Sequence, residues 1–317
     1  MVHRLIGGLA AVLLLLASCG DPSPAELSAE GPATGPTDAE VEYPVTVDTQ
    51  GGEVTIEERP GRVISLSPTA TEMLFAIGAG EQVVAVDDQS NYPEDAPTTE
   101  LSGYEPNVEA IASYSPDLVV YATETGDLSS SLVGIGIVAL QQPAAANLRD
   151  VYQQIEQLGL ATDHVEDATE LIDRMKDEIG SIDDEVAGAS GLSFYHELDD
   201  TYYSVTSETF IGQLYERVGL QNIADEARGA AGGYPQLSAE YIVDADPDLI
   251  FLADTKCCGQ SAETVADRPG WDRIEAVEQG NVIPLDDDVA SRWGPRVVEY
   301  LRVIVEGVRR ARGAEVA

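Results

Sequence analysis

The sequence predicts an α/β protein of two lobes, each built on a mainly parallel central sheet, with one long helix between them. Three observations carry this expectation. Short apolar runs alternate with helical patterns in both halves of the chain, as they do where parallel strands are joined by helical crossovers. A helical period runs unbroken from Val165 to Val186 in mid-chain. The segment Glu109 to Val120 also recurs in kind as Glu240 to Phe251. Each sets a glutamate ahead of a Pro-Asp-Leu strand entry, Pro116-Asp117-Leu118 in one and Pro247-Asp248-Leu249 in the other.

The chain opens with Arg4, an apolar run from Leu5 to Ala17, and Leu16-Ala17-Ser18-Cys19, a charged start, apolar core and small-residue cleavage site. Residues 1–18 read as an export signal, and the run is short for a membrane span. Cys19 after Leu-Ala-Ser resembles the bacterial lipobox, whose cysteine is acylated, so a lipid anchor on the extracytoplasmic face of the cell membrane is expected. A secretory signal that happens to leave a cysteine is the other reading. Residues 19–42 hold almost no large apolar side chain and read as a flexible tether.

Tyr43 to Ile56 alternates around Gly51-Gly52, a hairpin signal. Arg62 to Leu66 is a short strand, and Pro68 to Gly78 a helix ending at glycine. Strands follow at Val83–Val86, Leu118–Ala122 and Ile135–Leu140, completing a first lobe over residues 43–162. The connecting helix occupies 163–190, with apolar positions at Ala168, Leu171, Ile172, Met175, Ile179, Ile182 and Val186. Asp163 with Glu166 makes a capping box at its start. The second lobe, 191–317, begins with strands at Leu192–Glu197 and Tyr202–Val205 and a helix from Glu208 to Val218. Strands at Leu249–Ala253 and Val282–Leu285 follow, and a helix from Pro295 to Arg312 closes the chain.

Without residues 1–18 the chain keeps 16 basic and 57 acidic side chains, a net charge of −41. Such a surface repels nucleic acid and identifies no partner by itself.

Arg62-Val-Ile-Ser-Leu-Ser-Pro-Thr-Ala-Thr-Glu72, Asn91-Tyr-Pro93, the Glu109 and Glu240 segments and Gly280-Asn-Val-Ile-Pro-Leu285 resemble the cobalamin, ferric siderophore and haem binding proteins of ABC importers. The resemblance spans nearly all of residues 45–312. It implies two Rossmann-like lobes joined by a single long rigid helix, a metal chelate held between the lobe tips, no resident cofactor, and delivery to the importer's membrane subunits. It also implies that Glu109 and Glu240 dock onto arginines of those subunits; the plainer reading is two exposed helix residues. Matched carboxylates on two similar lobes suit a two-fold membrane partner. A monomer is expected, since docking needs both lobe tips free.

Ligand contacts are expected in loops at the strand ends. Tyr92, Tyr104, Tyr234 and Trp293 offer apolar faces with polar edges for a bulky chelate. Lys256, one of two lysines, and Arg292 and Arg296 around Trp293 tilt the reading toward an anionic ferric chelate, with cobalamin close behind. Pairing of those arginines with Asp286–Asp288 is the alternative.

Cys257 and Cys258 are the only cysteines besides Cys19. They are a vicinal disulfide, two free thiols, or a thiolate on the ligand's metal. Neighbouring Cα atoms stand about 3.8 Å apart, so a ring disulfide would be strained.

Two rival classes stay in view. A bare metal-ion binder would have to use His164 or a site from His196-Glu197 with Asp199-Asp200. An exported enzyme has less support: no nucleophile elbow, phosphate loop, zinc-protease motif or dinucleotide fingerprint occurs, and no catalytic or metal-ligating residue is assigned.

Overall fold

The first described element is a hairpin, β1 (Val45–Thr49) and β2 (Gly52–Ile56), paired antiparallel from Val45↔Ile56 to Thr49↔Gly52. The computed structural model describes residues 41–186, 191–227 and 232–315, so the export signal, Cys19 and nearly all of the tether lie outside the described residues. Val47 and Ile56 bury the hairpin's inner face.

The first lobe follows as β3 (Val63–Leu66), α1 (Pro68–Ala76), β4 (Val83–Val86), α2 (Val108–Ser113), β5 (Leu118–Tyr121), α3 (Leu128–Gly134), β6 (Val138–Gln141) and α4 (Leu148–Thr162). After α5 (Val165–Val186), the second lobe runs β7 (Ser193–Glu197), α6 (Phe210–Arg217), β8 (Gln221–Asn222), α7 (Ala239–Ala245), β9 (Leu249–Leu252), α8 (Ala262–Ala266), α9 (Glu275–Glu278), β10 (Val282–Pro284), α10 (Asp287–Ser291) and α11 (Val297–Glu315).

Each lobe holds a four-stranded parallel sheet, in the orders β4-β3-β5-β6 and β8-β7-β9-β10. Numbered from its own first strand, each order is the same, 2-1-3-4. The central strands β3, β5 and β9 are buried at every position, because helices cover both faces and leave no reason for polar alternation.

The likeness extends to single atoms. Asn107 and Ser238 cap α2 and α7 by accepting from Ala110 N–H and Tyr241 N–H. The residues before the two prolines, Ser115 and Asp246, both adopt left-handed backbone, with φ of 50° and 47°. Asp117 then accepts from the N–H groups of Gly61 and Arg62 at 2.9 Å, leading into β3. Asp248 accepts from the N–H of Ser193, the first residue of β7, at 2.7 Å. In each lobe one carboxylate ties the entry of the third strand to that of the first.

The 22-residue α5 spans about 33 Å at 1.5 Å per residue. All seven apolar positions expected of it are buried. It lies against α4, where a Cβ on Gly159 would come within 2.5 Å of Ala168, and it is tied to the second lobe by Asp183 with Arg217, Glu178 with Arg302 and Glu185 with Arg309. One apolar cluster runs from Leu118 and Val120 through Ile172 and Met175 to Phe194, Phe251 and Leu301, so the two lobes share a core along this side.

Three expectations need correction. The strand anticipated over Ile135–Leu140 begins only at Val138, because Gly136 turns the chain with φ 84°. Tyr202–Val205 is not a strand: Tyr202 sits at φ 69° and Tyr203 makes a single bridge to Gln236, while the short edge strand is β8. Asp163, expected to cap the long helix, is the left-handed residue that closes α4, and its carboxylate accepts from Val41 N–H at 2.7 Å and pairs with Arg59 at 3.3 Å.

Candidate ligand-binding cleft

A parallel sheet gathers its loops at the carboxyl ends of the strands, and the break in strand order leaves a crevice there. In the first lobe that crevice is bounded by Leu66 and Ser67 after β3, Asp87 after β4, and Ala122 and Thr123 after β5. Ser67 caps α1. Gly103 crosses the carboxyl ends of β3 and β4 so closely that a Cβ would stand 2.6 Å from Asp87 Oδ2 and 2.7 Å from the Leu66 carbonyl, and this delivers Tyr104 to the rim. The second lobe supplies the facing wall, Asp288, Ser291, Arg292 and Trp293. The cavity they enclose is about 250 Å³.

The lobes meet at this cleft through a polar cluster. Arg292, only 9% exposed, donates from Nη1 to Glu72 Oε1 at 2.8 Å; from Nη2 it donates to the Gln89 carbonyl at 3.1 Å, Asn91 Oδ1 at 2.9 Å and Asp288 Oδ1 at 3.0 Å. Arg296 Nη1 reaches the same Glu72 oxygen at 3.3 Å, and its guanidinium lies 4.3 Å from the centre of the Tyr92 ring. Asn91 donates to Asp288 Oδ2 at 3.1 Å, and the Trp293 indole donates to Gln154 Oε1 on α4 at 3.0 Å. Burial pushes the Glu72 carboxyl up, and its two arginines offset that only in part. Asp87 is likewise raised by burial. At Asp288 burial acts upward too, but Lys256, Asn91 and Arg292 together hold it below the ordinary carboxylate range.

Of the expected ligand residues, Tyr104, Arg292 and Trp293 line the cavity. Tyr92 and Arg296 adjoin it as a stacked pair behind Glu72. Lys256 stands one ion pair away, with Nζ 2.7 Å from Asp288 and 2.9 Å from Asp286. Tyr234 is half exposed and does not border the cavity, nor do Cys257 and Cys258. The alternative pairing of the arginines with Asp286–Asp288 is present at Arg292, whose two terminal nitrogens donate to protein groups, Asp288 among them. Glu109 and Glu240 are exposed, each in the first turn of its helix.

Glu72 was missed as a cleft residue. Its signal was a lone acid in Pro68–Ala76, where Thr69 to Leu74 are all buried. Asp254 was missed as well. It follows β9, is fully buried, and neither carboxylate oxygen has a hydrogen-bond partner. Burial first, then the charge of Glu197, pushes it up to about 7. Glu197 is held by Arg268 at 2.5 and 2.6 Å, and Arg268 lies against the Trp271 and Tyr202 rings.

The bare-metal site imagined at His196-Glu197 does not form. His196 is fully buried, 2.8 Å from the Tyr215 hydroxyl, and burial pushes its imidazole down to about 3. His164 is half-buried, bonded to Gln82 and Asp167. Among the described residues no three His, Cys, Asp or Glu side chains converge as metal ligands. No described helix is long and apolar enough to cross a membrane.

Comparison with known proteins agrees with this architecture. The periplasmic binding protein family matches residues 63–289. The uncharacterized ABC transporter substrate-binding lipoprotein YvrC of Bacillus subtilis is 31% identical over 95% of this chain and 96% of its own length. A cobalamin-binding protein of Halobacterium salinarum is 28% identical over 94% of this chain and 83% of its own. Among solved structures, a possible iron-binding periplasmic solute-binding protein of Staphylococcus epidermidis superposes with a TM-score of 0.68 at 26% identity, covering 79% of this chain and 99% of that one. All three are named as binding proteins. The chain belongs to the periplasmic binding protein family, as an extracytoplasmic substrate-binding protein of an ABC transporter.

Proposed function

We propose that this protein captures a cobalamin-class corrinoid, a metal chelate of neutral, amide-bearing periphery, between its lobes and delivers it to the importer's membrane subunits. The observation that carries the choice of chelate is electrostatic. Arg292, Arg296 and Lys256 are each matched by carboxylates, at Glu72, Asp286 and Asp288, and Asp87 adds a further acid to the wall. Free cations would be needed to hold haem propionates or an anionic ferric chelate. A wall of hydroxyls, amides and protonatable acids with Tyr104 and Trp293 instead suits side-chain amides and an apolar ring face. The relatives named for cobalamin or vitamin B12 point the same way.

A corrinoid is larger than the 250 Å³ cavity, so its remainder lies toward the mouth, where Tyr104 is 78% exposed. Delivery rests on Glu109 and Glu240 as paired docking carboxylates, and on Cys19 as the lipid anchor that keeps the monomer beside its importer.

Intrinsic fluorescence of the mature protein titrated with cyanocobalamin, haem and a panel of ferric siderophores tests this. Saturable quenching by cyanocobalamin alone is expected. Tight binding of an anionic siderophore or haem, with none of cyanocobalamin, overturns the choice of chelate.

A further inference from the structure

Cys257 and Cys258 stand exposed on the loop between β9 and α8, with their Sγ atoms 2.6 Å apart. The backbone beneath them is tightly held. The Asp287 carboxylate accepts from three successive N–H groups, Thr255 at 3.0 Å, Lys256 at 2.9 Å and Cys257 at 3.0 Å, and from the Thr255 hydroxyl at 2.7 Å. Cys258 N–H is bound by the Asp254 carbonyl at 3.2 Å. Two thiols are thus displayed on a fixed platform.

That platform does not line the cavity but is joined to its wall through Asp288. Asp287 lies between Asp286 and Asp288; these two hold Lys256, and Asp288 also receives Arg292 from its own lobe and Asn91 from across the lobe boundary. Only α10 separates the thiols from the contacts that set the wall.

We propose that Cys257 and Cys258 are a redox-responsive modification site, a vicinal dithiol that closes to a ring disulfide and in closing loosens the second-lobe wall of the cleft. Neighbouring Cα atoms about 3.8 Å apart lie below the usual disulfide span of roughly 4.4–6.8 Å, so the ring strains its own peptide. Strained, exposed disulfides are the readily reduced ones, which makes the pair a switch and not a staple. The strained peptide carries the Cys258 N–H, which the Asp254 carbonyl holds, and it begins at Cys257, whose own N–H Asp287 anchors.

The oxidant is a small disulfide or a disulfide-bearing oxidoreductase, as an extracytoplasmic setting supplies. One cysteine thiolate attacks a sulfur of the oxidant disulfide, forming a mixed disulfide and expelling one thiolate. The neighbouring thiolate attacks the protein-bound sulfur and expels the second. The protein loses two electrons and two protons, and the oxidant leaves as two thiols. In the resting pair the hydrogen bond with Cys258, before burial and nearby acids, pushes the Cys257 thiol up to about 12, so the first attack falls to Cys258, and that hydrogen bond is given up once Cys258 is in the mixed disulfide.

The effect on binding rests on the corrinoid reading; the chemistry of the pair does not, and the test separates them. Reduced mature protein is incubated with oxidised glutathione and digested with trypsin, which cuts after Lys256 and leaves both cysteines on one peptide. Loss of two hydrogens, reversed by dithiothreitol, is expected; unchanged thiols or a stable glutathione adduct overturns the site. Cyanocobalamin is then titrated into the reduced and oxidised forms, with at least threefold weaker binding expected for the oxidised form and no response to oxidant in a Cys257→Ser/Cys258→Ser variant. Equal affinities overturn the coupling. If cyanocobalamin binds neither form, the corrinoid reading fails, and hydrogen exchange over residues 286–293 decides: faster exchange in the oxidised form supports the coupling, unchanged exchange ends it.

Discussion

Glu72 and Arg292, 220 residues apart on opposite lobes, form an ion pair of 2.8 Å with side chains only 1% and 7% exposed. Removing one member of such a pair leaves the other buried without its counter-charge, which typically costs more than the intact pair contributes. Glu72→Ala removes the buried partner of both Arg292 and Arg296, leaving them the more exposed Asp288 and Glu299, and a loss of about 3 kcal/mol in urea unfolding is expected. A loss under about 0.5 kcal/mol would mean that water enters the cleft and solvates both arginines.

Asp254 gives a pH dependence of defined sign. Its folded pKa of about 7 lies above the ordinary aspartate value, so between about pH 4 and 7 the unfolded chain has lost a proton that the folded chain still holds. The contribution is favourable in acid and is lost as pH rises toward and past 7. Asp254→Asn should flatten that part of the stability profile, as measured by denaturant unfolding at pH 5, 6, 7 and 8. An unchanged slope would show that Asp254 is ionised throughout.

Trp293 reports on the cleft because the other tryptophan, Trp271, is fully buried behind the second sheet. Trp293→Phe keeps a ring but loses the bond to Gln154, and it should abolish most ligand-induced quenching while weakening binding severalfold, by about 1 kcal/mol. Retained quenching in this variant would place the ligand away from Trp293.

Glu109 and Glu240 make no contact with the cleft, so their loss should separate capture from delivery. The Glu109→Ala/Glu240→Ala double variant is expected to bind ligand as the parent does and to lose most uptake in vesicles carrying the importer, with each single variant intermediate. Normal uptake by the double variant would remove both residues from the docking surface.

Much of this architecture was legible because its signals are local. The period over Val165–Val186 gave the long helix, and the paired Pro-Asp-Leu entries gave the lobes. Boundaries failed where one backbone angle decided the matter: Tyr202 looks like a strand residue in a run of tyrosine and valine, but its positive φ breaks the run. The cleft was legible only in part. Arg292 and Trp293 stood out by residue type, whereas what Arg292 binds depends on Glu72, 220 positions earlier, and no local pattern joins them. The same holds for Asp254, raised first by its burial and then by Glu197 on a neighbouring strand.

The left-handed turns at Ser115 and Asp246, and the aspartates that follow them, mark the lobes as two copies of one half-sized plan. Carried along the same offset, Thr123 at the cleft corresponds to Asp254, so the matching stops where the copies face each other. At the cavity one copy presents the Thr123 hydroxyl and the Tyr104 ring and the other Arg292 and Trp293, while Asp254 stays buried and does not border it. A guest without two-fold symmetry meets unlike surfaces above and below, and can lie in the seam only one way up.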